Sequence, residues 1–501
     1  MRVLRKTKRV KVKYGYMRRI FNIVTKNWLM LVIIAAAIFL RFYKIGEFAV
    51  FLADQGRDAI IIKRIAAFEH FPAIGAPTSV GQVFLGPFYY YFIAPWLLLF
   101  RFNPAGLAVG MAVTSVVYLI TTYLIVKKFF GRHAAIIGVF LSSFSYVLIQ
   151  SSRFSWNPNP LPLFSLLTAY FFIMGTKTKN FKYFLLFGAF LSFSIQLHYL
   201  AAGLILPLIL LAIFDLIQSR KKFLKQATNY VLSALSFVVF TSPLIIFDLR
   251  HNFINLNNFV NLLNSGTGVA GGKLAGFMET FSEVNRYLFN IDMNSVTSVV
   301  LLVIFLFLLA FNLMKKKYDL SVFIIFFIGT LVVTSLYPGA KHSHYLGMLY
   351  PFYIVAISVV LGEIFKYDLF DKALVIFFLT AFLYLNFQKY DFLWIEPNNQ
   401  IRHARQVAEF IDRKITSNKF NFAVQPDGWQ EDSYLYFLEL MGKVPQDRKK
   451  LEVGNEMFVV CGNPCDIKTT KSWNITMFGK SKITNQWETQ GVKIYRLEHA
   501  K

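Results

Sequence analysis

The sequence predicts an α-helical polytopic membrane protein with about eleven crossings, one further apolar segment that is interfacial or re-entrant, and a small C-terminal external α/β domain. Three observations carry that expectation. The 501 residues are 56% hydrophobic and only 16% charged, with 55 Phe and 25 Tyr, a mixture foreign to soluble globular domains. The apolar residues gather in segments near 27–43, 84–101, 106–126, 134–150, 160–174, 183–197, 200–216, 227–247, 295–313, 320–337, 345–365 and 373–388. From about residue 390 these runs stop and the patterns of a soluble domain begin.

The orientation follows from charge. Basic clusters at Lys127-Lys128, Lys177 to Lys179, Arg220 to Lys222 and Lys315 to Lys317 separate alternate pairs of segments, and positive residues mark cytoplasmic loops. The basic stretch 1–26 then reads as a cytoplasmic tail ahead of an uncleaved first span. Residues 27–389 form the membrane domain, and the outer face carries the loops 44–83 and 249–294 together with the domain 390–501. This places the protein in the plasma (cell) membrane. A cytoplasmic N-terminus and a cytoplasmic Lys127 cluster allow only an even number of crossings between them, yet three apolar segments intervene. Segment 84–101, broken by Pro87 and Pro95, is therefore expected to enter the outer leaflet without crossing and to border a cavity.

Within the first outer loop, Ala59 to His70 suits a short helix lying along the interface. The loop 249–294 is rich in Asn and then in Gly, which suits either a mobile lid or a connector. In the C-terminal domain Asn399 to Ile415 and Glu431 to Leu440 read as helices, and Asn421 to Val424, Met457 to Cys461 and Val492 to Leu497 as strands. The two cysteines, Cys461 and Cys465, are spaced to close a disulfide in an oxidising compartment and supply no metal cluster. The net charge of +26 is spread through inter-segment loops rather than an aromatic-studded basic domain, so the partner it implies is the membrane and not a nucleic acid.

Ionisable groups at the outer ends of spans carry the chemistry, because charges next to hydrocarbon pair or function. One set is Asp54, Arg57 and Asp58, which share a helical face if the chain turns helical there. The others are Arg153 with Trp156 and Asn157, Arg250 beside Asp248, and Lys341, His342 and His344 before Tyr345. Two acids facing several cations at one surface suit an anionic lipid headgroup plus a base. Each set also has a structural reading: Asp54 as an N-cap, Arg153 and Arg250 as snorkelling side chains, Asp248 and Arg250 as a local pair. His342 and His344 are two apart, so on a strand they would share a side and could bind a metal, but no third ligand is evident; no cofactor is assigned, and a divalent metal stays open without support.

These residues, in this order, resemble the GT-C class of lipid-dependent glycosyltransferases, and within it the family 39 type that includes protein O-mannosyltransferases and bacterial lipid A aminoarabinose transferases. Ala53-Asp54-Gln55-Gly56-Arg57-Asp58 stands where that class carries an Asp-Glu pair, with Gln55 in place of Glu, and Ser152-Arg153-Phe154 and His344-Tyr345-Leu346 match further positions. The resemblance covers roughly residues 27–390. It implies an inverting transfer of a sugar from a polyprenyl-phosphate donor to a glycan, lipid or protein acceptor at the outer face. Asp54 would be the catalytic base and Asp58 would orient Arg57. Arg57, Arg153, Arg250, Lys341, His342 and His344 would hold the phosphate. Tyr89, Tyr90, Trp156, Asn157 and Tyr345 would line the substrate cavity. The absence of an acid after Trp156 speaks against a divalent metal of the oligosaccharyltransferase kind. The competing reading is a transporter or flippase, or a ligase of lipid-linked glycans. A transporter would carry charge near the bilayer midplane and often repeated halves, and neither is present in the sequence.

Overall fold

The computed structural model describes residues 25, 27–78, 82–219, 222–264, 272–292, 295–314, 318–428, 430–462, 465, 467 and 469–500. The expected tail 1–26, apart from Thr25, and the glycine-rich stretch 265–271 lie outside them.

The membrane domain runs α1 (Asn27–Phe42), α2 (Ile45–Phe48), α3 (Ala53–Ala66), α4 (Phe88–Leu99), α5 (Ala105–Phe130), α6 (Arg132–Phe144), α7 (Tyr146–Ser151), α8 (Leu161–Thr178) and α9 (Phe181–Leu197). A 3₁₀ turn, Tyr199–Leu204, leads into α10 (Ile205–Gln218), followed by α11 (Phe223–Arg250), α12 (Ile254–Asn264), α13 (Gly272–Phe289), α14 (Ser295–Met314), α15 (Tyr318–Ser335), α16 (Tyr350–Ile364) and α17 (Leu369–Phe387). Among the described residues six helical stretches are long and apolar enough to cross a bilayer: Ala105–Phe130, Leu161–Thr178, Tyr199–Gln218, Phe223–Arg250, Tyr318–Ser335 and Leu369–Phe387. Five shorter apolar helices stand beside them. This is a multi-pass membrane protein. Its outward faces say the same, since Val231, Leu235 and Val239 on α11 and Ile376 and Phe377 on α17 are large, apolar and exposed, as lipid-facing side chains are. The helix within the expected non-crossing segment, α4, has 12 residues and rises only about 18 Å, well short of a hydrocarbon core of about 30 Å.

Packing explains the order. α9 lies between α8 and α11, and α6 between α5 and α16. Aromatic side chains fill the space between α4, α8 and α9: Phe88 stacks on Phe193 at 4.1 Å and meets Phe164 edge-on at 5.1 Å. The expected single helix over 134–150 is two, α6 and α7, turned at Ser145, whose backbone is extended at ψ 123°. The expected outer loop 249–294 contains α12 and α13, and α13 buries Phe281, Val284 and Leu288 against the bundle. Its Asn content misled the reading because Asn255 and Asn285 are buried and hydrogen-bonded rather than in turns.

The C-terminal domain adds α18 (Gln400–Asp412), β1 (Phe420–Gln425), α19 (Glu431–Leu440), β2 (Glu456–Cys461), α20 (Trp473–Thr476), β3 (Ser481–Thr489) and β4 (Val492–His499). The strands form one sheet in the order β1-β2-β4-β3, parallel only between β1 and β2. Cys461 and Cys465 form a disulfide at the end of β2. β3 had no counterpart in the sequence reading, because Ser481 to Thr489 is an exposed edge strand with few apolar residues.

Candidate active site

The acidic motif and the expected interfacial helix are one element, α3. Gln55 begins it: its Oε1 accepts from the Leu52 N–H at 3.3 Å. Asp54 makes no capping bond and sits in the first turn with its side chain 53% exposed. Asp58 lies one turn on and is 3% exposed. Arg57 joins them, donating from Nη1 to Asp54 Oδ1 at 2.9 Å and from Nε and Nη2 to Asp58 Oδ1 at 3.0 and 2.8 Å. The Tyr90 hydroxyl donates to the same Asp58 oxygen at 3.0 Å. The other oxygen, Oδ2, is buried with no partner among the described residues. Burial pushes the Asp58 carboxyl up to about 6 against the pull of Arg57 and Tyr90. Asp54 is thus a carboxylate in contact with solvent, aimed by an arginine whose other edge is anchored in the protein.

Gly56 lets the C-terminal domain reach this motif. A Cβ there would fall 2.4 Å from the Asp432 carbonyl carbon and the Ser433 nitrogen, so the backbones of α3 and α19 touch. The contact is fixed by Ser433 Oγ donating to the Phe51 carbonyl at 2.9 Å, and by Lys63 and Arg64 pairing with Glu439 at 3.0 and 3.1 Å. It brings up a carboxyl for which the sequence carried no signal, Asp432, raised by burial and lowered by Arg57.

A second group of side chains lies beside the first. Tyr89, next to Tyr90, shares a hydrogen bond of 2.5 Å with Ser155, next to Trp156. Trp156 packs on His344 at 4.4 Å, and His344 stacks parallel to His342 at 5.7 Å. Tyr345 touches His344, His342 and His198 at 4.4, 5.3 and 4.9 Å. His198 ends α9 and accepts the Leu200 N–H on Nδ1 at 3.3 Å. Burial lowers His198 to about 4 and His344 to about 3, so both rings are neutral near pH 7 and act as hydrogen-bonding groups rather than cations. The 341–345 loop is a 3₁₀ turn rather than a strand, and no His/Cys/Asp/Glu cluster suited to a metal occurs among the described residues.

The remaining expected residues are otherwise occupied or further out. Arg153 donates to the carbonyls of Leu40, Arg41 and Tyr43 and lies 4.1 Å from the Phe392 ring, so its guanidinium clamps the end of α1 instead of facing a phosphate. Asn157 is buried and donates to the Leu197 carbonyl at 2.8 Å, which positions the loop. Lys341 is 4% exposed, donates to the carbonyls of Tyr337 and Gly339, and is lowered by burial. Arg250 is exposed at the end of α11, while Asp248 caps α12 through the N–H groups of Asn255 and Leu256 at 2.7 and 3.1 Å and makes no local pair with it.

Known structures share this fold. ArnT from Cupriavidus metallidurans bound to undecaprenyl phosphate superposes with a TM-score of 0.61 at 11% identity, over 94% of this chain and 98% of that one. Its apo state gives 0.62 at 12% identity over the same shares. This chain has the fold of ArnT. The archaeal oligosaccharyltransferase AglB from Archaeoglobus fulgidus in complex with an inhibitory peptide and a dolichol-phosphate matches at 0.52 and 13% identity over 94% of this chain and 74% of that one. Residues 85–247 match the family model for dolichyl-phosphate-mannose-protein mannosyltransferase. No curated protein sequence matches at a comparable level. The stretch matched by that model contains Tyr89, Tyr90, Ser155, Trp156 and His198, while Asp54, Arg57 and Asp58 precede it and the 341–345 loop follows it.

Proposed function

We propose that this chain is an inverting glycosyltransferase that moves a sugar from a polyprenyl-phosphate donor to an acceptor hydroxyl at the outer face of the plasma (cell) membrane. The observation that carries the reading is the asymmetric hold on Arg57, whose Asp58 side is buried and whose Asp54 side meets solvent. Asp54 is the base. The acceptor oxygen attacks the anomeric carbon as its proton passes to Asp54, and the bond from that carbon to the phosphate oxygen breaks with its electron pair staying on the phosphate. The leaving group is already an anion and needs no acid, so stabilising it is the main task of the site. Arg57, His342 and His344 are the groups offered to that phosphate, His344 as a neutral N–H donor, while Lys341 holds the carbonyls of its own loop. Arg153 stays with α1, and Arg250 serves at most the approach of the headgroup. Trp156, Tyr345, Tyr89 and Tyr90 form the wall beside the sugar. The N-terminus is cytoplasmic and the sheet domain external. The acceptor, a glycan, a lipid or a protein, enters past Asp54.

The test is release of polyprenyl phosphate from a panel of synthetic polyprenyl-phosphate sugars, by wild type and Asp54→Asn in liposomes. Release by wild type that Asp54→Asn loses while still binding donor supports the base. Equal activity in both removes Asp54 from that role. Donor moved across the bilayer without any release would favour a flippase.

A further inference from the structure

His198 has no task in the transfer scheme above, yet the fold places it from several sides. The last turn of α9 is tied down first: Gln196, 3% exposed, accepts the Phe88 N–H on Oε1 at 3.3 Å and donates from Nε2 to the Phe240 carbonyl at 2.9 Å. The next carbonyl, that of Leu197, accepts from Asn157 Nδ2 at 2.8 Å. On the other side the Tyr199 hydroxyl donates to the Phe84 carbonyl. Residues 196, 197 and 199 are thus bound to α4 and α11, to the loop that carries Trp156, and to the chain leading into α4. The backbone of His198 between them has little freedom.

The ring is held as well. Its Nδ1 accepts the Leu200 N–H at 3.3 Å and so caps the 3₁₀ turn Tyr199–Leu204. A neutral imidazole carries one ring proton, and with Nδ1 accepting, that proton lies on Nε2. Nε2 has no hydrogen-bond partner among the described residues, and the ring is half-buried rather than sealed in. It lies 4.9 Å from the Tyr345 ring and 6.0 Å from the His344 ring, which in turn packs on Trp156. His198 therefore presents one fixed donor and no acceptor to the wall already described. A sugar hydroxyl both donates and accepts, whereas a phosphate oxygen only accepts, so the phosphate is the part of the donor lipid that this ring matches.

We infer that His198 donates from Nε2 to a phosphate oxygen of the polyprenyl-phosphate donor, as a third imidazole beside His342 and His344. This rests on the transfer reading above. The bond strengthens as the sugar leaves, because negative charge on that phosphate grows. Nothing has to rearrange for it, since backbone and tautomer are set before the lipid arrives.

The experiment uses the full chain in detergent and two variants of opposite design. His198→Asn keeps a side-chain oxygen within reach of the Leu200 N–H, and so the cap, but is too short to carry the outer donor. His198→Gln carries an N–H to that reach and gives up the cap. Binding of polyprenyl phosphate and of unphosphorylated polyprenol is measured beside Tm and sugar release. In His198→Asn, affinity for polyprenyl phosphate should be at least about tenfold weaker, with polyprenol affinity and Tm near wild type and kcat lowered more than KM is raised. His198→Gln should bind polyprenyl phosphate within about threefold of wild type at a lower Tm. Wild-type affinity for polyprenyl phosphate in His198→Asn, an equal loss for polyprenol, or His198→Gln as weak as His198→Asn would each overturn the inference. Should His198→Asn fail to fold, His198→Gln decides: a preference for polyprenyl phosphate over polyprenol kept in it supports the inference, and its loss overturns it. A wild type that shows no such preference and no sugar release removes the transfer reading together with this one, whereas wild-type transfer that His198→Asn retains in full removes His198 alone.

Discussion

Two carboxylates at opposite ends of the bundle, Asp58 buried and Asp215 mostly so, are built differently. Asp215, near the end of α10, has both oxygens bound: Lys179 Nζ on Oδ1 at 2.6 Å, and Gln226 Nε2 and the Tyr230 hydroxyl on Oδ2 at 2.5 and 3.0 Å. Asp58 crowds all its partners onto one oxygen and leaves the other bare. Both acids sit among helices and both hold a cation. A closed network of the first kind fixes helix ends, whereas a buried carboxylate left half satisfied is strained in a way that packing alone does not reward. The contrast teaches which acid serves the fold and which serves the site.

Substitutions break the comparison most sharply at the site. Asp54→Asn is expected to lower transfer by about 10²–10⁴-fold, the range of a lost general base, while donor binding and Tm stay near wild type. Asp58→Asn should also lower turnover substantially by loosening Arg57, and measured kcat with unchanged KM would separate this from lost donor binding. If Asp58→Asn is as active as wild type, the asymmetry described above has no functional meaning. pH gives the next largest effect. The Asp58 carboxyl titrates at about 6, above its ordinary 3.8, so transfer should fall as pH drops through about 6. The sign for stability is opposite: between about 6 and 4 the folded protein takes up a proton that the unfolded chain does not, so this group favours the folded state as pH falls. A pH profile of kcat/KM beside a pH series of Tm tests both halves.

At the other end of the bundle the expectation reverses. Asp215→Ala should cost about 1–3 kcal/mol of stability by stranding Lys179, Gln226 and Tyr230, with turnover per folded molecule unchanged. Activity lost in step with Asp54→Asn would erase the distinction between the two acids. The smallest effect belongs to the surface pair Lys366 and Glu363, 49% and 48% exposed, where Lys366→Ala should change stability by less than about 0.5 kcal/mol.

The sequence made some of this legible and hid the rest for identifiable reasons. The helices of the bundle could be found because lipid demands long apolar runs, and Glu431 to Leu440 was found to the residue by its 3.6-residue pattern. Arg57 between Asp54 and Asp58 followed from helical spacing alone. The break at Ser145 could not be read, since neither Pro nor Gly marks it and its open carbonyls are satisfied by Arg41, far away in the chain. His198 lay in a loop that the sequence located but gave no chemistry, because its neighbours, His344 and Tyr345, arrive from a distant loop. Arg153 looked like a phosphate ligand because residue type and position are the same for a cation that binds lipid and one that closes a helix. Only tertiary contact tells them apart.

The bare backbone at Gly56 has a mechanical consequence. Where two helices meet through side chains, small relative motions are absorbed by rotamer changes, but α3 and α19 meet without that cushion. A tilt of the sheet domain is therefore passed on to α3 as a rigid push two residues from each acid. The domain acts as a handle on the helix that carries Asp54, and whatever grips that handle also moves the carboxylate.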